Sequence, residues 1–316
     1  MLTQQQLKDR LSVVTGSDAA AIAGLSPYKT AMQLWMEKTQ RVEQEDISEL
    51  NHIKFGNYME SGVADWFAAE SGREILQHEE MLIHSEHKWM AGNIDFKIKG
   101  ENAILECKTA YNDEGWGGGV NLHREPTNEE NRIPPHYLMQ VAHYCAVGAF
   151  DRAYIAVVFT TTREMRWYRY DRNSTLEEKL IKLESDFWHN HVLTDVMPEP
   201  KNENDIKAMF KEARFDPCYA TAEDEALVYK YKALSDLIGE YEEKLQLLRD
   251  ELCLKMQNHE TLVAADGTQL ISWKFTKAAA RFDAKKFETD RPELYKYYMK
   301  ESAPSRRFCV KVKGEK

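Results

Sequence analysis

The sequence has little cysteine: Cys107, Cys145, Cys218, Cys253 and Cys309 among 316 residues, far apart and never as C-x-x-C. That spacing excludes a disulfide framework and the usual zinc or iron–sulfur signatures. Long apolar runs are also missing. The most apolar stretch, Tyr154 to Phe159, is far short of the roughly 18–20 residues of a membrane span. Met1 to Leu11 has no apolar centre of the kind a secretory signal needs. These absences predict a cytoplasmic protein in a reducing compartment, with no membrane partner. Positive charge is not in excess either: 42 Lys and Arg against 52 Asp and Glu give a net charge of -10. Taken alone, this argues against a chain coated with nucleic acid or anionic lipid.

What is present is ordinary globular composition, 43% apolar and 30% charged, in a chain long enough for one large domain or two modest ones. Residues 18 to 38 have helical periodicity interrupted by a turn at Gly24, Ser26 and Pro27, and a charged stretch follows from Gln40 to Glu49. Tyr58, Met59, Val63, Trp66 and Phe67 predict a helix over Phe55 to Ser71. The period then changes to that of strands: Ile75 to His84, Trp89 to Ile98 and, after a turn at Gly100, Ile104 to Thr109. A long polar loop, Tyr111 to Pro135, leads to a helix over Tyr137 to Val147, strands over Ala153 to Thr160 and Arg166 to Asp171, and a helix over Thr175 to Val192.

Met197-Pro198-Glu199-Pro200 marks a boundary, so residues 1–200 are expected to form one domain and 201–316 an extension. Within the extension, Leu227, Tyr231, Leu234, Ile238, Tyr241, Leu245, Leu248 and Leu252 recur at alternating spacings of four and three. This heptad seam suits internal packing or a sister subunit. Ala265-Asp266-Gly267-Thr268 predicts a hairpin turn. The tail from Arg281 carries eleven Lys or Arg and six Asp or Glu, hence +5 against -15 for the preceding 280 residues. Such a tail suits DNA phosphate or the acidic body of the chain.

The residues with chemical promise lie on the second and third predicted strands. Asp95 ends Gly92-Asn93-Ile94-Asp95, and Glu106-Cys107-Lys108 follows eleven residues later. Glu106 and Lys108, two apart on a strand, share a face. Pairing across the Gly100 turn would bring Asp95 beside Glu106. Adjacent carboxylates repel, and a hard cation such as Mg²⁺ between them, with a lysine at hand, would suit phosphoryl chemistry. The competing reading is an ordinary hairpin with exposed charges. His189-Asn190-His191 has no accompanying metal-site pattern, His78, His84 and His87 lack zinc spacing, and Gly115 to Gly119 lacks the lysine of a phosphate-binding loop. That glycine run reads either as a flexible linker or as a DNA-contacting loop with Trp116 as a stacking group.

The D-x(n)-E-x-K pattern between a preceding and a following helix resembles the PD-(D/E)XK nuclease superfamily. Gly16-Ser17-Asp18-Ala19-Ala20 with Gly24-Leu25-Ser26-Pro27-Tyr28, then Phe55-Gly56-Asn57-Tyr58-Met59-Glu60, and Tyr137-Leu138-Met139-Gln140 resemble further motifs of the YqaJ-type viral recombinase family. That family includes the phage lambda-type, or alkaline, exonucleases, and the resemblance covers about residues 8 to 195. It implies an α/β (α+β) fold with a restriction-endonuclease-like core, a mixed central sheet flanked by helices, here followed by an extension of long helix, hairpin and basic tail.

It also implies roles. Glu60, Asp95, Glu106 and the backbone carbonyl of Cys107 would hold Mg²⁺, with Mn²⁺ as the alternative. Lys108 would serve the nucleophile, and Gln140 would orient the lysine or the phosphate. Arg10 and Ser17, with Asn93, would bind a 5′-phosphate. Residue types alone leave other readings open: Glu60 as a solvated helix residue, Ser17 as a helix N-cap, Tyr137 as packing or as a substrate contact. The implied function is 5′-to-3′ digestion of one strand at double-stranded DNA ends, leaving 3′ overhangs for phage recombination inside a bacterial host. The implied partners are a phage single-strand annealing protein and sister copies in a trimeric ring. An endonuclease with the same core, a silent DNA-binding relative and a structural coiled-coil protein are the alternatives.

Overall fold

The computed structural model describes residues 9–42, 47–120, 124–127, 129–210, 212, 214–277, 280–300 and 306–312. Parts of four expectations lie outside the described residues: the N-terminal segment before residue 9, the middle of the charged stretch at 43–46, positions 121–123 and 128 of the long polar loop, and parts of the tail. The chain divides into two compact units, Met1–Lys211 and Glu212–Lys316.

In the first unit the helices α1 (Gly16–Ile22), α2 (Ala31–Lys38) and α3 (Asn51–Ser71) precede strands β1 (Ile75–Gln77), β2 (Leu82–Ile83), β3 (Ala91–Gly92), β4 (Phe96–Ile98) and β5 (Ala103–Ala110). Then come α4 (Pro135–Gly148), β6 (Arg152–Phe159), β7 (Glu164–Asp171), α5 (Ser174–Asp186) with a π-helical turn over Phe187–Val192, and α6 (Glu203–Met209). The main sheet has the order β1-β4-β5-β6-β7, with β5 and β6 parallel and its other pairs antiparallel. Helix α4 makes the crossover that two parallel neighbours require. The mixed sheet flanked by helices expected from the sequence is therefore observed.

Alternation along β5 and β6 builds two cores. Ile104, Ala153, Ile155, Val157 and Phe159 face α1, α4 and α5. Leu105, Tyr154, Ala156 and Val158 face α3, whose Val63, Ala64 and Phe67 are fully buried. Phe67 packs edge-on against Trp167, 5.7 Å between ring centroids. A buried polar tie crosses the first layer: His143 on α4 bonds Ala91 O through Nε2 (2.9 Å) and Glu184 on α5 through Nδ1 (2.9 Å). A carbonyl only accepts, so Nε2 carries a hydrogen. That bond fixes α4 against β3.

One difference from the sequence reading matters. The two long strands expected over 75–84 and 89–98 are each broken, and their inner ends form a separate β2–β3 pair. Asn93, Ile94 and Asp95 leave the ladder at that break. Asp95 there uses its side chain on the neighbouring strand: Oδ2 accepts from the Cys107 N–H at 2.8 Å.

In the second unit α7 (Ala222–Met256) is a 35-residue helix opened by Thr221 and Asp224, which bond each other's backbone amides. The hairpin β8 (Thr261–Val263) and β9 (Gln269–Ser272) follows. Helices α8 (Ala284–Asp290) and α9 (Pro292–Tyr298) lie in the tail. No described helix is long and apolar enough to cross a membrane.

Candidate active site

The site grows from the β4–β5 hairpin. Gly100, with φ +81°, makes the tight turn that residues with a Cβ rarely accept. The register pairs Phe96 with Leu105 and Lys97 with Ile104, and one step further sets Asp95 beside Glu106. Glu106 lies on the face towards α4 and is almost fully buried. Its Oε1 accepts from Lys108 Nζ at 2.6 Å and from Gln140 Nε2 at 2.7 Å. The other oxygen, Oε2, is buried without a hydrogen-bond partner. Lys108 Nζ also lies 5.3 Å from the centroid of the Tyr137 ring. Asp95, Glu106, Lys108, Gln140 and Tyr137 thus meet at one place.

Electrostatics there are strained in a telling direction. Burial, and then the charge of Glu106, push the Asp95 carboxyl well above its usual range. Burial opposes charge on Lys108, yet Glu106 and Asp95 together raise it, so the side chain is an ammonium. Glu60, on α3, is raised by burial and by Glu106. A buried carboxylate oxygen with no donor beside a second, reluctant carboxyl is the donor set that a hard cation would satisfy. Among the described residues no three His, Cys, Asp or Glu side chains stand together as a ready-made cage; Glu60 is near enough to feel the charge of Glu106. Two carboxylates fit Mg²⁺, which keeps several waters. The Cys107 thiol is not a candidate ligand: it packs towards α3, and burial pushes its pKa well up.

A second cluster forms at the start of α1. Arg10 Nη2 donates to Ser17 Oγ (2.6 Å) and lies 3.3 Å from Thr15 Oγ1. The N-cap is Thr15, which corrects the reading of Ser17 as a cap: Ser17 sits inside the first turn, where its Oγ accepts from Arg10 and lies 3.2 Å from Thr15 Oγ1. Asp18 Oδ2 accepts from the Thr15 amide (3.0 Å), the Thr15 hydroxyl (2.9 Å) and Lys38 Nζ (2.7 Å). Arg10, Ser17, Asp18, Lys29, Glu37 and Lys38 line a small polar pocket. Asn93, at the strand break, has its Oδ1 buried without a partner.

Trp116 is a correction. It is buried and packed on Tyr137 (5.3 Å) and Tyr168 (4.8 Å), so it is no stacking platform for DNA. Its loop is anchored as well: Gly117 N–H bonds Arg132 O and Gly119 N–H bonds Glu130 O, both at 2.8 Å. A Cβ on Gly117 would lie 2.4 Å from Glu130 O, so close backbone approach, not flexibility, accounts for that glycine.

Sequence reasoning missed Tyr144. Its hydroxyl lies 3.1 Å from Gln140 Nε2, and a Cβ on either Gly16 or Gly92 would fall within 2.7 Å of its ring. One tyrosine is thus clamped between the first helix and the strand leading to Asp95 while holding the glutamine that holds Glu106. The available signal was its position four residues after Gln140, one helical turn along the same face. Thr15, Asp18 and Lys38 were missed too, although T-x-x-D before an apolar run is a helix-start pattern.

Asp95, immediately before β4, and Glu106-Cys107-Lys108 on β5, in a mixed sheet with helices before and after, make this an α+β domain with two carboxylates and a lysine gathered at the sheet. The chain belongs to the YqaJ-like viral recombinase domain family, whose model matches residues 5–163, half of its length. The uncharacterized protein YqaJ of Bacillus subtilis (strain 168) is 29% identical over 320 residues, covering 98% of this chain and 95% of that one. Among solved structures, the alkaline exonuclease LHK-Exo of Laribacter hongkongensis is 12% identical, covering 61% of this chain and 94% of that one, with a TM-score of 0.46. A phage-related exonuclease of Haemophilus somnus 129PT is 14% identical, covering 58% and 96%, with a TM-score of 0.44.

Proposed function

We propose that this protein is a metal-dependent exonuclease that digests one strand of linear double-stranded DNA from its 5′ end. The product is a 3′ single-stranded overhang for phage-type recombination. The observation that carries the reading is the convergence of Asp95, Glu106 and Lys108, with Glu106 Oε2 left without a donor. Family membership supports it. Asp95, Glu106 and the Cys107 carbonyl would hold Mg²⁺ or Mn²⁺, with Glu60 behind them. When bound, the ion supplies positive charge to the scissile phosphate and acidity to water.

The remaining roles belong to the chain's own groups. The Lys108 ammonium, fixed by Glu106, orients the attacking water and offsets charge developing on the phosphate. Gln140, held by Tyr144, keeps Glu106 in one rotamer. The Arg10–Ser17 pair is suited to a terminal phosphate, because a guanidinium and a hydroxyl there offer donors within one small pocket. Asn93 would add a third contact. A single-strand annealing protein would take up the product, and a trimeric ring would keep the enzyme on its strand.

The test compares linear 5′-phosphorylated, linear 5′-hydroxyl and covalently closed duplexes with Mg²⁺ present. The phosphorylated end should be digested fastest and the closed circle left intact. Glu106→Ala and Lys108→Ala should each lower the rate by roughly 10²–10³ or more. Cutting of the closed circle would make the protein an endonuclease. Unchanged rates in either variant would remove the catalytic assignment.

A further inference from the structure

Helix α7 presents the heptad seam to solvent. All eight seam positions are exposed, from 38% at Leu252 to 68% at Leu245. Phe308 touches Tyr231 edge-on, 5.5 Å between centroids, at one point of that seam. Scattered exposed apolar residues are normal on a folded protein, but eight in strict alternation of three and four over one 35-residue helix are not. We propose that this face is covered by the same helix of a second copy of the chain, lying antiparallel and in full overlap.

The choice of occupant rests on the seam itself. A partner helix needs the same 3.5-residue repeat over about four heptads, and an identical copy has it. Direction follows from the flanking charges. In a parallel pair in register, Lys244 would face Arg249 of the other copy, a like-charge contact made twice. In an antiparallel pair, residues on the same flank meet each other. Lys230 then meets Glu251 of the second copy, an attraction also made twice, while Leu237 covers the stem of Lys244. The register is not arbitrary, because the seam's midpoint lies between Gly239 and Glu240, at the centre of the helix. Full overlap therefore pairs Leu227 with Leu252, Tyr231 with Leu248, Leu234 with Leu245 and Ile238 with Tyr241, each twice. Every layer is apolar. Glu251 bonds Lys255 within its own helix at 2.7 Å, but an exposed pair of that kind is weak and does not compete strongly.

The proposal does not depend on the nuclease reading, since it is tested by mass and not by digestion. Light scattering on the full chain should give an even multiple of 36.7 kDa, and the double variant Leu234→Asp/Leu245→Asp should halve it. Halving takes two chains to one, or six to three if the nuclease units also form a ring. Circular dichroism checks that the helix survives, as expected for exposed positions.

Lys230→Glu alone should weaken self-association severalfold, as should Glu251→Lys alone, and the two together should restore it. In a parallel pair these residues lie about 30 Å apart along the axis, and the exchange would do nothing. A wild-type monomer, or a trimer that the aspartates leave intact, overturns the proposal. Failure of the charge exchange to restore association overturns its direction.

Discussion

The most informative single group is Asp18, a buried carboxylate that does no chemistry. Burial, the largest influence on it, raises its pKa, but Lys38 at 2.7 Å, then Arg10, and the Thr15 amide outweigh that and hold it at about 2. Because the folded value lies below the ordinary 3.8, the contribution to stability is fully present above that pH. It is lost as pH falls from about 4 towards 2, and amounts to roughly 2 kcal/mol. Denaturant titrations across that window should show the loss in the wild type and a flatter acid limb in Asp18→Asn. Lys38→Met should cost about 3–5 kcal/mol at pH 7, because it removes the ion-pair partner of a buried carboxylate. At the candidate site Asp95 behaves in the opposite sense, raised by burial and then by the charge of Glu106. A cation between them removes that repulsion, so Mg²⁺ should raise the melting temperature of the wild type, and chelation should reverse it. Glu106→Ala should respond much less, as thermal denaturation with and without the metal would show.

Elements are joined at the site by two narrow contacts. Tyr144 links α4 to α1 and β3 through Gly16 and Gly92, and His143 binds α4 to β3 through Ala91. The ring of Tyr144 has no flexible end to swing aside, so Gly92→Ala drives a Cβ to 2.7 Å from it. Overpacking of this kind costs about 1–3 kcal/mol. The greater effect should be on turnover, since a displaced Tyr144 releases Gln140 and with it Glu106. A kcat loss exceeding tenfold with a melting shift of only a few degrees is the expected pattern. Tyr144→Phe, which keeps the ring and removes only the hydroxyl, should lose less. The strand break after β3 belongs to the same design, because it lets the Asp95 carboxylate take the Cys107 amide in place of a ladder bond.

Over the whole molecule, charge is divided unevenly: the tail from Arg281 is +5 and the preceding 280 residues are -15. The average of -10 therefore hides a segment of net positive charge that suits phosphate. Deleting residues 281–316 should weaken DNA binding and flatten its dependence on salt, because fewer phosphate-bound ions are released. Filter binding or fluorescence anisotropy at several salt concentrations would measure both. Binding that is unchanged would leave the tail without that role. The first unit extends through α6, whose Asp205 accepts from Thr30 Oγ1 at 2.9 Å. A fragment of residues 1–211 should consequently unfold in one cooperative transition.

Much of the fold could be read directly. The change from helical to strand period near Ile75, the turn at Gly100 and the heptads of α7 are local signals, and local rules of sterics and burial produce them. The pairing of Asp95 with Glu106 was legible for the same reason, since a tight hairpin leaves few registers. Other features depended on groups far apart in the chain, whose meeting no spacing encodes. Trp116 looked like an exposed aromatic in a glycine loop, and packing against Tyr137 and Tyr168 buried it. Tyr144 looked like an ordinary helix residue until two glycines, 76 positions apart, closed on its ring. The sequence named the carboxylates and the lysine. Which oxygen of Glu106 stays without a donor was settled by where α4 sets Gln140, a matter of three-dimensional packing.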